Sequence, residues 1–121
     1  MEALAAVGRV VLGLYFLYNG AGHFLDFQGL RRYAETKGVP VPGAAVAVTG
    51  LMLLAGGLSL LLEYQLTAGA ILLALFLLPT AVVMHNFWAV EDAGSRANEL
   101  AHFLKNVALA AAVLQMPFLG A

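Results

Sequence analysis

Along this chain long apolar runs alternate with short polar joints, a rhythm that matches helices crossing a bilayer. Apolar runs at residues 3–22, 41–62, 66–84 and 98–117 each approach the roughly 20 residues that, at about 1.5 Å rise, cover a hydrocarbon core of about 30 Å. The first run is interrupted only by Arg9 and Asn19. It is read as a span rather than a cleaved leader, because Glu2 is acidic where a leader carries positive charge and further spans follow. Between His23 and Pro40 the pattern changes. Asp26, Arg31, Arg32, Glu35 and Lys37 interleave with Phe24, Leu25, Phe27, Leu30 and Tyr33 near helical spacing, so residues 24–37 are predicted to form a short amphipathic helix lying in the interface. Gly38, Pro40 and Pro42 punctuate the chain after it.

The second span carries many small residues, from Gly43 through Gly50, Gly56 and Gly57 to Ser59, which let helix backbones approach closely and predict a central position in the bundle. Glu63, Tyr64 and Gln65 form a tight polar turn, and the third span contains Pro79, which removes a backbone donor and is expected to kink it. Trp88 is placed to anchor the end of that span at the interface. Residues 89–98 read as a polar loop in which Asp92 and Ser95 are candidate helix caps. A shift that lays His23-Phe24 over His85-Asn86 also lays the start of the second span over that of the fourth, a weak internal echo of two similar hairpins. The expected architecture is all-α: an antiparallel membrane four-helix bundle in one domain, 1–121, with the interfacial helix between the first and second spans.

Composition sharpens this picture. Hydrophobic residues make up 62% of the chain and charged ones 11%, with a mean hydropathy of +0.88, against about 25% charged in soluble domains. Six Lys and Arg against seven Asp and Glu leave no basic footprint for nucleic acid. Without cysteine the chain has no disulfide, thiolate nucleophile or thiolate metal ligand of its own. The expected setting is a prokaryotic cytoplasmic membrane, with the lipid bilayer as the first partner.

Polar residues near the spans carry the candidate chemistry, since a charge at membrane depth costs several kcal/mol unless it is paired, solvated or functional. In an up-and-down bundle, the ends of the first and third spans meet the start of the fourth. That gathers Asn19, His23, Asp26, His85, Asn86, Glu99, His102, Lys105 and Asn106 at one end, including all 3 histidines. Arg9 and Glu63 lie toward the other end, where Arg9 reads as a structural charge that snorkels or pairs with Glu63. Lys105, about two turns into its span, calls for a carboxylate, and Asp26 and Glu99 are nearest by topology. Two readings of the cluster stay open: histidines satisfied by water and headgroups, or a polar pocket for a quinone head group or small substrate. Glu99 and His102 form a Glu-x-x-His pair, but di-iron bundles use two such pairs plus two more glutamates. Neither a metal nor a histidine-ligated haem is expected.

Several motifs fall in a familiar order: Arg9-Val-Val-Leu-Gly-Leu-Tyr-Phe-Leu-Tyr-Asn-Gly20, Asp26-Phe-Gln-Gly29 with Tyr33 and Gly38-Val-Pro40, Gly56-Gly57, His85-Asn-Phe-Trp88, and Phe103-Leu-Lys-Asn106. Through them the chain resembles the DoxX family of small four-helix membrane proteins over nearly its whole length. The resemblance implies a membrane partner in redox chemistry, of the kind associated with quinone-linked thiosulfate oxidation and with membrane complexes that handle oxidative stress. It points to Arg9, His85, Lys105 and Asn106 as site residues. This chain has Leu53 where the family often has a glutamate three residues before the paired glycines, and Thr67-Ala68 where it often has Thr-Arg. The missing acid leaves intrinsic catalysis open.

One functional expectation is therefore a small subunit of, or accessory to, a quinone-linked or oxidative-stress redox complex. In it a protein partner supplies electrons, His85 donates a hydrogen bond or proton, and Lys105 stabilises negative charge. The alternative is a non-catalytic membrane scaffold or assembly partner, self-associating or packing on other helices. Transport would need an oligomer, because four short helices enclose no pathway alone. Arg31, Arg32, Lys37 and Arg96 at the polar end outweigh Arg9 at the other, which places the polar end in the cytoplasm and the termini outside. The family resemblance instead implies termini inside.

Overall fold

A computed structural model describes residues 2–119. Its helices are α1 (Glu2–Leu25), α2 (Phe27–Thr36), α3 (Pro42–Leu62), α4 (Leu66–Met84) and α5 (Ala93–Gln115), with 3₁₀ turns at Phe87–Ala89 and Met116–Phe118. No strand occurs among the described residues. By length and composition 4 of the helices, α1, α3, α4 and α5, suffice to cross a membrane. Their outward positions, among them Leu4, Val11, Leu51, Leu58, Leu75 and Leu104, remain exposed and apolar, as lipid-facing surface requires.

The spans are joined antiparallel, and their packing follows chain order: α1 on α3, α3 on α4, α4 on α5, with α2 folded back onto α3. Phe16, Leu53, Leu60, Leu73, Leu77, Ala110, Val113 and Met116 make the core, one cluster drawn from all the spans. Small residues set the α1–α3 spacing. A Cβ on Gly57 would stand 3.0 Å from the Gly13 carbonyl, and a Cβ on Gly13 would stand 3.0 Å from the Gly57 carbonyl, so the two backbones touch where side chains are lacking.

Local chemistry places the helix ends differently from the hydropathy pattern. α1 runs to Leu25, three residues past the apolar run, before Asp26 opens α2. α2 stops at Gly38, whose φ of 78° and N–H bond to Glu35 O at 3.0 Å, with Val39 N–H reaching Ala34 O at 3.1 Å, close its last turn. α5 begins at Ala93 rather than 98 because the Asp92 carboxylate accepts from Ser95 N–H at 2.8 Å, so much of the expected loop is helix. That bond holds the Asp92 carboxyl below its ordinary range. Pro79 lies inside α4, which continues through it to Met84. Glu63 (φ 55°) follows α3 in the left-handed region, where Tyr64 N–H closes the helix on Ser59 O at 3.0 Å.

Candidate functional site

The hairpin geometry brings the C-termini of α1 and α4, the whole of α2 and the N-termini of α3 and α5 to one end of the bundle. There the end of α2 delivers Lys37 between the α4–α5 connection and the first turns of α5. Lys37 Nζ donates to Asn86 Oδ1 at 3.0 Å and lies 3.8 Å from Glu99 Oε2, while His85 Nδ1 is 3.5 Å from the same oxygen. The three charged or ionisable side chains are mostly covered, with 20% of Lys37, 15% of Glu99 and 17% of His85 exposed. His85 Nδ1 and Glu99 Oε2 are fully buried and lack hydrogen-bond geometry to any partner, so each is the other's nearest remedy. The His102 ring stacks on His85 with centroids 5.1 Å apart. Phe87, Trp88 and Phe103 pack edge to face beside it, at 5.2 to 5.9 Å.

Against this polar rim lies a partly open cavity of about 330 Å³, roofed by α2 through Leu30, Tyr33 and Ala34 and walled by α3 and α4. Val46, Phe76, Pro79, Val83 and Met84 make it largely apolar; His23, Thr49, Thr80 and His85 add the polar groups. That size and lining fit the usual small-molecule site, apolar with a few placed polar atoms. His23 Nδ1 is 3.1 Å from Val46 O and 3.2 Å from Thr49 Oγ1, while Thr49 donates to Ala45 O at 2.7 Å. Tyr33 donates to Met84 O at 3.4 Å, which ties the roof to the end of α4. Burial, and secondly the Glu99 carboxylate, pushes the Tyr33 hydroxyl above its ordinary value and keeps it a donor. His85 therefore belongs to both places, lining the cavity while its Nδ1 faces the rim acid. A second groove, about 440 Å³, faces outward at Pro79 and Leu114, but only apolar side chains line it.

Of the residues singled out by sequence, His85, Asn86, Glu99 and His102 stand together at the rim, and His23 faces the adjoining cavity. Asn19 stays on its own helix, donating to Tyr15 O at 2.8 Å. Asp26 is exposed at the start of α2, packed over Gly29. Lys105 is exposed and has no carboxylate within ion-pair distance among the described residues. Of the two partners expected for it, Asp26 is exposed at the start of α2 and Glu99 is held by Lys37 and His85, because α2 folds back and delivers a cation first. Asn106 is buried, 5% exposed, the one buried polar side chain among the described residues. Arg9 sits at the opposite end, donating to Leu60 O and Leu61 O and lying 3.7 Å from Glu63 Oε2.

Lys37 and Thr49 were not singled out, and Tyr33 entered only among the motif residues of the resemblance. Tyr33 on α2 and Lys37, the residue that caps its end, lie four apart and on one face, which was the available signal; Thr49 is one hydroxyl within an apolar run and gave none. Among the described residues no three His, Cys, Asp or Glu side chains gather closely enough to hold a metal. What the arrangement offers is hydrogen bonding and proton exchange between a covered acid, an imidazole and an apolar chamber.

Comparison with known proteins adds family-level information. The DoxX family model matches residues 4–86, which contain the cavity lining but stop before α5. The chain is 26% identical over 117 residues to inner membrane protein YphA of Escherichia coli (strain K12), covering 97% of this chain and 83% of that protein. No solved structure matches.

Proposed function

This chain belongs to the DoxX family and is a multi-pass integral membrane protein; from that premise we propose that it serves as the membrane subunit of a quinone-linked redox assembly, its cavity receiving the quinone head group. Reducing a quinone takes two electrons and two protons. The electrons come from a protein partner, and the protons enter from the polar rim. The single observation that carries this reading is the position of His85, whose ring lines the apolar chamber while its buried Nδ1 lies 3.5 Å from the Glu99 carboxylate. An imidazole backed by a carboxylate suits proton exchange with a bound oxygen. Lys37, rather than the exposed Lys105, supplies the nearby positive charge.

The scaffold reading draws less support from this fold. The glycines that would offer a docking face to another helix, Gly13, Gly20, Gly50 and Gly57, are spent inside the bundle on the α1–α3 contact.

The test is extraction of the purified protein, held in mild detergent, with organic solvent, followed by chromatographic identification of quinone. Retained quinone is expected, with a His85→Ala variant keeping the helical spectrum and losing most of it. A wild-type protein that neither retains quinone nor binds it when it is added would overturn the proposal.

A further inference from the structure

Tyr33, Thr49 and Thr80 bring hydroxyls to the lining of the cavity, and these differ in what they already hold. Thr49 donates to Ala45 O, one turn back on its own helix, at 2.7 Å. The Tyr33 hydroxyl of the roof is turned to Met84 O at 3.4 Å. Thr80, on α4, bonds through its hydroxyl to no described residue, where Thr36 and Thr49 close theirs on carbonyls of the preceding turn. Helix geometry aims Thr80 at the chamber: Phe76 and Met84, four residues before and after it, share its face and line the same space. Its hydroxyl sits on Cβ itself, and threonine in a helix uses two side-chain rotamers, so with no carbonyl of the fold holding it the O–H is free to turn to a guest. Five residues separate Thr80 from His85 at the end of α4, which sets Thr80 about 7.5 Å deeper from the polar rim.

We infer that Thr80 fixes the depth and orientation of the bound head group, its hydroxyl donating to the ring oxygen farther from the rim while the nearer oxygen lies toward His85. The inference rests on the quinone reading above and assigns it a specificity-determining residue. A 1,4-quinone carries oxygens on opposite sides of one ring, so a single guest addresses both places. A hydroxyl can donate or accept. The same contact therefore serves the carbonyl before reduction and the hydroxyl that replaces it afterwards, and Thr80 holds the ring in place through both states.

Calorimetric titration of the full chain in lipid nanodiscs with a short-chain 1,4-benzoquinone tests this. Thr80→Val, which keeps the shape and removes the hydroxyl, is expected to weaken binding by about tenfold. Thr80→Ser keeps the hydroxyl, and Thr49→Val removes one already bonded to its own helix; each is expected to stay within about twofold of the wild type. Wild-type affinity in Thr80→Val would overturn the assignment and leave the quinone site standing. So would a Thr80→Ser or Thr49→Val protein as weak as Thr80→Val, since the shape of the wall rather than this hydroxyl would then set affinity. A wild-type protein that binds no quinone would overturn both readings. Should Thr80→Val not fold, Thr80→Ala removes the same hydroxyl and decides the comparison with Thr80→Ser.

Discussion

Arg9 stands within an apolar helix, and two explanations of its place differ in magnitude. Its ion pair with Glu63 spans 3.7 Å and one partner is 58% exposed, so water screens it and its worth is about 0–1 kcal/mol. Its bonds go to Leu60 O and Leu61 O in the last turn of α3, where carbonyls run short of helical donors and Leu60 O is otherwise reached by Glu63 N–H at 3.4 Å, and charge-assisted bonds are worth about 1.5–3 kcal/mol. Arg9→Leu is therefore expected to destabilise the protein by about 2 kcal/mol, with Glu63→Gln nearly neutral, as read by thermal or denaturant unfolding in detergent. At this scale the sequence showed which side chains were anomalous but not their partners. The histidines and Glu99 announced themselves as polar groups beside spans. Lys37 did not, because its role depends on where α2 folds back, a tertiary fact that local pattern does not encode.

At the scale of elements, hydropathy placed the spans well and misplaced some of their ends. Burial in lipid writes a strong signal over some twenty residues, whereas ends are decided by single groups such as the Asp92 carboxylate and Gly38. Small residues in α3 were legible as a packing device; that α1 answers them with Gly13 and Gly20 emerged only from the fold. The seam makes a sharp prediction. Gly57→Ala puts a methyl 3.0 Å from backbone atoms of α1, so the helices must part, at a cost of about 1–3 kcal/mol. Gly8→Ala, with nothing within 4 Å of the new methyl, is expected to be neutral or to stabilise by up to about 1 kcal/mol through helix propensity. Unfolding of the two variants, measured together, checks the contrast.

For the molecule as a whole, charge is unevenly shared between the ends: Arg31, Arg32, Lys37, Arg96 and Lys105 at the cavity end, Arg9 at the other. The positive-inside rule puts the cavity end in the cytoplasm. Since the chain has no cysteine, single substitutions report cleanly: in intact cells a membrane-impermeant maleimide is expected to label Tyr64→Cys and to reach Glu91→Cys only after permeabilisation. The opposite pattern would place the termini inside.

The first and second spans are fastened at three heights: by Arg9 near one leaflet, by the glycine seam midway, and by His23 to Val46 near the other. Fastened so, they act as the fixed jaw of a vise. Any guest too large for the chamber at rest must be admitted by the other jaw, where Pro79 has already deprived α4 of a rung and Tyr33 latches the roof by one long bond.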